Sequence, residues 1–314
     1  MSSSPNKRKK GFTMTSQLLG LKQAIPYLRK YRGSQFVIKV GGSIFQKDSW
    51  LTELLDQVAA LYYMGIKIVL VHGGGPQLDA LAGRMGIEQE KIGGRRITNE
   101  ATLELAKMTY AGTLNMKLVS LFNALDVPAV GLTGADGLSV LATKRAPVNI
   151  KNEVTNESHT IDFGYVGDVV SIHTHLLDDL LSKGFIPVIS SLASDVNGQI
   201  LNINADTVSQ HLAVALGAKK YINVTNVAGI LKNPKDERSL LSCADIENIE
   251  SMKSDGIIQG GMLPKVEACI LAIKGGIDRA HIIDGREADS LLKEVFTNEG
   301  SGTLVVKKMR AHAS

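Results

Sequence analysis

Lysine and glycine residues near the start of this chain are arranged as they would be around a bound anion. Lys39 interrupts the apolar run VIKV directly before Gly41 and Gly42, and a second run, IVLVH, ends on glycines 73–75. An unpaired lysine is costly to bury, so Lys39 predicts either an anionic ligand or a neighbouring carboxylate. Glycine turns that follow strands expose backbone N–H groups to anionic oxygens, although such turns also occur where nothing binds.

A polar segment in the second half of the chain, LNINADT at residues 201–207, offers complementary groups. Asn202 and Asn204 alternate, which places both side chains on one face of an extended segment, and Asp206 has the same parity. One interpretation is a substrate-binding face on which Asp206 orients cationic side chains. The other is a helix N-cap at Asp206 that follows turn-forming asparagines. The sequence leaves both open.

Two more cationic segments precede predicted helices. Lys265 follows the glycine loop IIQGGM in a first helical turn, where a cation is disfavoured unless an anion binds there; an exposed lysine without function is the alternative. Arg95 and Arg96 suit bidentate binding of a carboxylate. Two lysines, an aspartate and glycine N–H groups, without a nucleophile, indicate phosphoryl transfer, which needs charge neutralisation and positioning more than covalent catalysis.

The elements that must position these residues alternate regularly along the chain. Apolar strands are predicted at QFVIKV, KIVLVH, PAVGLTG, FIPVISSLAS, KYINVTNVAG, RAHIIDG and GTLVVKK, most of them separated by helices. This pattern predicts an α/β fold, a three-layer αβα sandwich with a mainly parallel central sheet and a small β-hairpin insertion at 138–168. Ligands bind at the carboxyl ends of such strands.

Some segments predict local details of this fold. A helical region over 99–125 is expected to break near Gly112, and helices are expected over 171–184 and 207–216. Residues 232–262 are predicted to form a polar loop.

The domain organisation follows from composition. Residues 1–15 predict a disordered basic tail, for which a transit peptide is the alternative, and residues 16–33 predict a helix kinked at Pro26. Residues 34–310 predict a single domain with an N-lobe at about 34–195 and a C-lobe at about 196–310, which are expected to hold two different ligands, because glycines dominate the loops of the first and Asn, Asp, Thr and Lys those of the second.

Charge and cysteine content exclude several function classes. The net charge of +4 is accounted for by four cations at residues 7–10, which leave 31 basic and 31 acidic residues, so nucleic acid binding is not indicated. No run of apolar residues is long enough to predict a membrane span. Two cysteines favour a cytoplasmic location, and scattered histidines predict no metal site.

Nine motifs together resemble the acetylglutamate kinases of the amino acid kinase family. In chain order, from about residue 20 to 306, they are VIKVGGS, VHGGGPQ, GGRRIT, GLTGADG, GYVGDV, NINADT, VTNVAGIL, GGMLPKVEACILAI and HIIDGR with the segment after it. The resemblance implies ATP-dependent phosphorylation of the γ-carboxylate of N-acetyl-L-glutamate, the second step of arginine biosynthesis. It also implies that the N-lobe binds the acyl-amino acid, that the C-lobe binds ATP and that Mg²⁺ is held mainly by ATP.

The resemblance assigns roles to residues that match the family motifs. It implies catalytic roles for Lys39, Lys265, Asp206, Gly42 and Gly74, in which Asp206 holds both lysines and the glycines donate to phosphate oxygens. The residues implied to bind substrate are Gly74, Gly75, Arg96, Asn202 and Asn204, with Arg96 on the α-carboxylate. Those implied to bind nucleotide are Lys39, Thr225, Asn226, Gly229, Gly261, Met262 and Lys265.

The N-terminal helix resembles that of the arginine-inhibited, hexameric members. This implies an arginine site at Tyr27, Lys220, Glu294 and Gly300 and a homo-oligomer, either a dimer or a hexamer of dimers. Ala135 and the segment AGTLNMK depart from the family pattern, so a sister kinase for another N-acyl glutamate or for aminoadipate stays open, as does a non-catalytic regulatory relative. A dinucleotide oxidoreductase is a poor fit, because no GxGxxG motif opens a helix.

Overall fold

The computed structural model describes residue 22 and residues 25–92, 95–151 and 158–309. The predicted tail at 1–15 lies outside the described residues, as do residues 16–21, 23 and 24 of the predicted N-terminal helix. Residues 25–31 are helical and form α1, with Pro26 near the start of this stretch. A kink before Pro26 would fall on residues that are not described.

The described part of the chain contains sixteen strands. They are β1 (Gln35–Val40), β2 (Lys67–His72), β3 (Lys91–Ile92), β4 (Arg95–Arg96), β5 (Ala129–Thr133), β6 (Val140–Lys144), β7 (Val148–Lys151), β8 (Ser158–Ile161), β9 (Gly167–Ile172), β10 (Ile186–Ser190), β11 (Leu192–Ser194), β12 (Ile200–Asn202), β13 (Lys220–Thr225), β14 (Cys243–Asp245), β15 (Ala280–Asp284) and β16 (Thr303–Val306).

Helices connect most of these strands. After α1 they are α2 (Asp48–Tyr63), α3 (Gly75–Arg84), α4 (Glu100–Ala106), α5 (Asn115–Ala124), α6 (His175–Ser182), α7 (Ala205–Ala215), α8 (Ile246–Ser254), α9 (Leu263–Lys274) and α10 (Ser290–Phe296), with a π-helix at Lys107–Leu114. Short 3₁₀ turns lie at Gly42–Gln46, Asp136–Leu138, Glu237–Ser239 and Gly260–Met262.

Eight strands form the central sheet, in the order β14-β16-β15-β13-β1-β2-β10-β5. Every neighbouring pair in it is parallel except β15 and β16. Strand β1 shows why the sheet is covered on both faces: Phe36 and Ile38 point into a core with α2, α5 and α10, whereas Val37 points into a core with α7 and α9. This architecture confirms the predicted α/β fold with a mainly parallel sheet.

The excursion predicted at 138–168 contributes strands of its own. Strands β6 and β9 join β11 and β12 in a four-stranded sheet, and β7 pairs with β8 in a separate hairpin. Strands β3 and β4 form another two-stranded hairpin, of which residues 93 and 94 are not described.

The structure corrects several local predictions. The polar loop predicted at 232–262 contains β14 and α8. The helix predicted from residue 171 begins at His175, because residues 171 and 172 extend β9, and the helix predicted from 207 begins at Ala205. The helical region at 99–125 does not break at Gly112 but continues through the π-helix, which joins α4 to α5.

Candidate functional site

A cleft of about 840 Å³ opens at the carboxyl ends of β1 and β2, where ligands bind in sheets of this type. Its lining includes residues from each of the segments that the sequence singled out: Lys39, Gly42, Gly74, Gly75, Arg96, Asn202, Asn204 and Gly261. The structure therefore brings into one cleft residues that lie up to 222 positions apart in the chain, from Lys39 to Gly261.

The ion pair of Lys39 and Asp206 lies at the edge of this cleft. Lys39 Nζ is 2.8 Å from Asp206 Oδ1, and only 5% and 7% of the two side chains are exposed. The Asn223 amide also donates to Asp206 Oδ1, at 2.6 Å. Burial alone would raise the pKa of Asp206, but Lys39, Lys265 and Asn223 together hold that pKa below its ordinary value. Asp206 is therefore a fixed anion that holds Lys39 in place.

Lys265 is held differently from Lys39. Its ammonium donates to Gly261 O at 2.9 Å, in the glycine turn before α9, and its influence on Asp206 is exerted through space. Burial and then repulsion from Lys39 lower the pKa of Lys265, while Asp206 opposes both effects. The predicted arrangement in which Asp206 holds both lysines is thus present for Lys39, whereas Lys265 is anchored by its own loop.

The two glycine turns contact each other beside Lys39. A Cβ added to Gly42 would lie 2.8 Å from Pro76 Cδ and 3.2 Å from Gly75 N, so the second turn leaves no room for a side chain at Gly42. The Gln77 amide donates to Gly42 O at 2.9 Å and fastens the first turn to α3. Because α3 begins at Gly75, the N–H groups of its first turn have no acceptor within the helix and are free to bind an anion.

Arg96 lies on the other side of the cleft and is positioned by acceptors from three places. Its guanidinium is 2.6 Å from Asp79 Oδ1 and donates to Gln89 Oε1 at 2.5 Å and to Gly75 O at 3.4 Å. Asp79 also pairs with Lys91 at 2.7 Å. Burial tends to raise the pKa of Asp79, but its hydrogen bonds with Lys91 and Arg96 lower it overall. These contacts hold the planar guanidinium of Arg96, on the β3–β4 hairpin, in a fixed orientation at the cleft.

The two asparagines of the NINADT segment both line the cleft, as their parity predicts. The Asn202 amide donates to Thr98 Oγ1 at 3.1 Å. Asn204 Oδ1 accepts from the Asp206 N–H at 2.7 Å and caps α7. The alternative of an N-cap at Asp206 is therefore wrong: the cap is Asn204, which leaves the Asp206 carboxylate for Lys39 and Asn223.

The remaining residues with a predicted nucleotide role lie at the carboxyl ends of β13 and before α9. Thr225 ends β13, and its hydroxyl contacts Asn226 Oδ1 at 3.4 Å. Gly229 has a φ of 148°, and a Cβ there would lie 2.5 Å from Thr303 Oγ1. Gly261 and Met262 belong to the 3₁₀ turn that leads into α9. Within the described part of the chain, Gly261 lines the cleft, whereas the lining does not include Thr225, Asn226, Gly229, Met262 or Lys265.

Comparison with known proteins identifies the family. A model described as the amino acid kinase family matches residues 34–284. This chain belongs to the amino acid kinase family.

Similar proteins include acetylglutamate kinases. That of Archaeoglobus fulgidus is 42% identical over 283 residues, which cover 90% of this amino acid kinase and 97% of the relative. That of Myxococcus xanthus is 40% identical over 288 residues, which cover 92% and 94% of the two chains. The match to these relatives therefore extends along nearly all of both chains.

Solved structures share the fold. An N-acetylglutamate synthase from Neisseria gonorrhoeae, in complex with coenzyme A and N-acetyl-glutamate, superimposes with a TM-score of 0.77 at 26% identity. This match covers 93% of the present chain but only 64% of the synthase chain. A Giardia carbamate kinase, with a TM-score of 0.60 and 18% identity, shares the fold alone.

A second polar cluster of this amino acid kinase lies at the opposite ends of β13 and β15. Lys220 Nζ is 3.1 Å from His281 Nε2, and His281 Nδ1 is 2.6 Å from Glu294 Oε1. Glu294 Oε2 accepts from two backbone N–H groups, those of Ser301 at 2.6 Å and Gly302 at 3.0 Å. The three ionisable side chains are at most 6% exposed, so the cluster is a buried hydrogen-bonded chain.

The protonation states in this cluster follow from its geometry. Burial lowers the pKa of His281 to about 4 and that of Lys220 to about 8. Burial would raise the pKa of Glu294, but hydrogen bonds from His281 and from the backbone of Ser301 and Gly302 lower it to about 2. At neutral pH, a charged lysine thus donates to a neutral histidine, which in turn donates to a carboxylate.

Of the two other residues with a predicted arginine-binding role, Gly300 adjoins this cluster, whereas Tyr27 contacts Phe296 and Asn298, which follow Glu294 in the chain. The Tyr27 hydroxyl donates to Asn298 Oδ1 at 2.8 Å, and its ring contacts that of Phe296, with centroids 6.3 Å apart. Gly300 has a φ of 68°, and a Cβ there would lie 2.7 Å from Glu294 Oε2. A glycine is therefore required beside the carboxylate.

Sequence reasoning missed Asn223 and His281, although both carried a usable signal. Each is a polar side chain inside an apolar strand, in YINVT and AHIID, just as Lys39 lies inside VIKV. Both are buried and face a charged partner. A polar residue that interrupts a buried strand therefore marks each of the two clusters.

The described residues form neither a cluster of metal ligands nor a membrane-spanning helix. Within that part of the chain, no three His, Cys, Asp or Glu side chains converge as metal ligands would. Nor does any helix there combine the length and apolar character that crossing a membrane requires.

Proposed function

We propose that this protein transfers the γ-phosphoryl group of ATP to the γ-carboxylate of N-acetyl-L-glutamate and so makes N-acetyl-L-glutamyl 5-phosphate in arginine biosynthesis. The single observation that carries the proposal is the buried pair of Lys39 and Asp206 beside two touching glycine turns. That arrangement supplies fixed positive charge and backbone donors, as phosphoryl transfer requires. Acetylglutamate kinases that match nearly the whole chain support the choice of substrate.

In the proposed reaction a γ-carboxylate oxygen attacks the γ-phosphorus of ATP while the bond to the departing ADP breaks. The attacking group is already a carboxylate, so no general base is needed. Lys39 and Lys265 would neutralise charge on the equatorial oxygens from two sides, and the N–H groups of Gly42 and Gly74 would bind the same oxygens. Asp206 would keep Lys39 aimed at them.

The two ligands would lie at opposite ends of the cleft. Gly75, Arg96, Asn202 and Asn204 would bind the acyl-amino acid, with the Arg96 guanidinium on its α-carboxylate. The nucleotide would contact a set of residues at the other end: Thr225, Asn226, Gly229, Gly261 and Met262. Kinases of this kind use Mg²⁺ with ATP. The Asp206 carboxylate already bonds to Lys39 and Asn223, so the main ligands of the metal would be phosphate oxygens of ATP.

The second cluster would bind arginine as a feedback inhibitor. Glu294 is a buried carboxylate of low pKa that would pair with a guanidinium, Gly300 lies beside it, and Tyr27 bonds to Asn298 in the segment that connects them. Inhibition requires that arginine favour a less active state of the enzyme, so the two sites would be coupled. Assembly into a dimer or a hexamer through the N-terminal helix and a cytoplasmic location stay predictions.

The test is an assay of ADP release with N-acetylglutamate, N-succinylglutamate, N-acetylaminoadipate and free glutamate, each with and without arginine. We expect turnover with N-acetylglutamate and its loss in Lys39→Met. Lys67→Met is the matched control, because Lys67 starts β2 at the end of the strand away from the cleft. No turnover on any substrate would refute the kinase proposal. A preference for another acyl-amino acid would mean that the substrate is not N-acetylglutamate. Turnover that millimolar arginine leaves unchanged would refute only the proposed inhibition by arginine.

A further inference from the structure

The last residue of β2, His72, lies beneath the second glycine turn and is fully buried. Its Nδ1 is 3.1 Å from the carbonyl oxygen of Gly73, and its Nε2 is 3.2 Å from the side-chain nitrogen of Asn115. Burial lowers the pKa of His72 to about 4, so the ring is neutral at neutral pH and carries one hydrogen. Which nitrogen carries it decides what the ring does.

Asn115 settles the tautomer. Its Nδ2 also lies 2.9 Å from Val188 O and 3.2 Å from Leu132 O, and both are carbonyl oxygens that can only accept. The amide nitrogen rather than the amide oxygen must therefore face them, and its two hydrogens are shared among three acceptors, the two carbonyl oxygens and His72 Nε2. Nε2 then accepts, and the hydrogen lies on Nδ1, from which it is donated to Gly73 O.

This donation fixes the direction of the next N–H group. In a trans peptide the carbonyl and the N–H of the same plane point in opposite directions, so holding Gly73 O towards His72 turns the Gly74 N–H away from it. His72 pairs with Val40 in the sheet, whereas Lys39 is one residue earlier and therefore points to the other face. The Gly74 N–H is thus directed to the face on which Lys39 and Asp206 lie.

The segment that carries Asn115 also packs against the turn. Asn115 directly follows the π-helix, and a Cβ on Gly74 would lie 2.3 Å from Leu114 Cδ1 and 2.8 Å from Tyr110 Cδ1. A π-helix places its side chains differently from an α-helix of the same sequence and occurs often at functional sites. One segment thereby supplies both the donor for His72 and the surface against which Gly74 rests.

We propose that His72 and Asn115 are positioning residues that hold the Gly73–Gly74 peptide so that its N–H faces the transferring phosphoryl group. The proposal rests on the proposed function, in which Gly74 binds that group. Neither side chain touches substrate. Their effect is on the transition state, because a backbone donor contributes to catalysis only when it is aimed at the developing charge.

Two substitutions of His72 separate positioning from packing. Asparagine places its amide nitrogen near the position of Nδ1 and can still donate to Gly73 O, whereas glutamine places its amide group near Nε2. We expect His72→Asn to keep a kcat at least about tenfold above that of His72→Gln, with KM for both substrates within about threefold of the unmodified enzyme. Unfolding free energies of both variants, measured in parallel, correct for packing losses.

A matched control lies on the π-helix itself. The Thr109 hydroxyl is buried and finds no hydrogen-bond partner in the described part of the chain, so Thr109→Val removes a buried polar group of similar size without touching the turn. We expect this variant to keep full activity. Equal kcat values for His72→Asn and His72→Gln would overturn the proposal. So would losses of kcat that are proportional to the losses in the free energy of unfolding.

The tautomer is tested on the unmodified protein, so the outcome does not depend on whether a variant folds. In protein labelled with ¹⁵N at histidine, we expect two of the seven histidines, His72 and His281, to show a hydrogen on Nδ1 and a bare Nε2 at neutral pH, and one of these two signals to vanish in a His72 variant. A hydrogen on Nε2 of His72 would overturn the inference. An unmodified enzyme without turnover would instead refute the proposed function.

Discussion

Replacing Asp206 by asparagine tests the central ion pair, because it leaves Lys39 charged and 4% exposed with no counter-charge. At 2.8 Å the gross attraction is about 6 kcal/mol for an effective dielectric constant of about 20. Most of that attraction offsets the cost of taking two charges out of water. Removing one partner alone leaves the cost in place, so we expect Asp206→Asn to lower the free energy of unfolding by about 3–5 kcal/mol.

A double-mutant cycle isolates the pair. Lys39→Met alone should cost less than Asp206→Asn, because Asp206 keeps its bond from Asn223 and its attraction to Lys265. The double variant should return to within about 2 kcal/mol of the unmodified protein, since a buried pair replaced as a unit is often neutral. Its activity should stay lost, because neither residue can then act on a phosphoryl group. Stability and catalysis are thereby separated.

Denaturant unfolding followed by circular dichroism gives the four free energies at pH 7. The pair of Lys219 and Asp278 is the control, because its side chains are 44% and 62% exposed and Asp278→Asn should cost at most about 1 kcal/mol. A loss below about 1 kcal/mol for Asp206→Asn, or effects of the two single substitutions that simply add, would contradict the buried pair described above.

Two further predictions concern Lys265 and Glu294. Lys265→Ala should lower kcat on the order of 100-fold with little change in substrate binding. The control is Lys274→Ala, at the other end of α9, which should leave kcat unchanged. Equal losses in kcat and in binding would mean that Lys265 only binds substrate. The pKa of Glu294, lowered from 4.5 to about 2, contributes stability above pH 4.5 that is lost as the pH falls towards 2. Glu294→Gln should therefore cost about 2 kcal/mol more at pH 7 than at pH 3, measured by denaturant unfolding at both values, and a cost independent of pH would contradict this account.

The sheet and the cleft could be predicted because they depend on local patterns. Continuous apolar strands such as KIVLVH, separated by helices, imply a parallel sheet, and that topology brings the carboxyl ends of the strands together. Strand β14 and helix α8 could not be predicted from the polar stretch at 232–262, because Ile249 is the one side chain of α8 that is fully buried. An element with so small an apolar face has a weak periodic signal.

Other features depend on tertiary contacts that no local pattern contains. The π-helix at Lys107–Leu114 has the composition of an ordinary helix, and its Tyr110 and Leu114 pack against the turn at Gly74. Asn and Asp both cap helices, so the choice of Asn204 over Asp206 is decided by the charge of Lys39 rather than by propensity. The hydrogen-bonded chain from Lys220 through His281 to Glu294 joins three elements; the resemblance named Lys220 and Glu294, but nothing in the local sequence showed that His281 connects them.

The alternation of side chains along the strands explains why a single carboxylate, that of Asp206, can bond to two side chains at the cleft. Lys39 and Asn223 are register partners on the adjacent strands β1 and β13, so their side chains leave the sheet on the same face and side by side. Helix α7 covers that face, and its first turn places Asp206 Oδ1 within 2.8 Å of the lysine and 2.6 Å of the amide. A shift of β13 by one residue would turn Asn223 to the opposite face and leave the carboxylate with one donor fewer. The strand register that builds the core therefore also fixes the direction of the charge at the cleft.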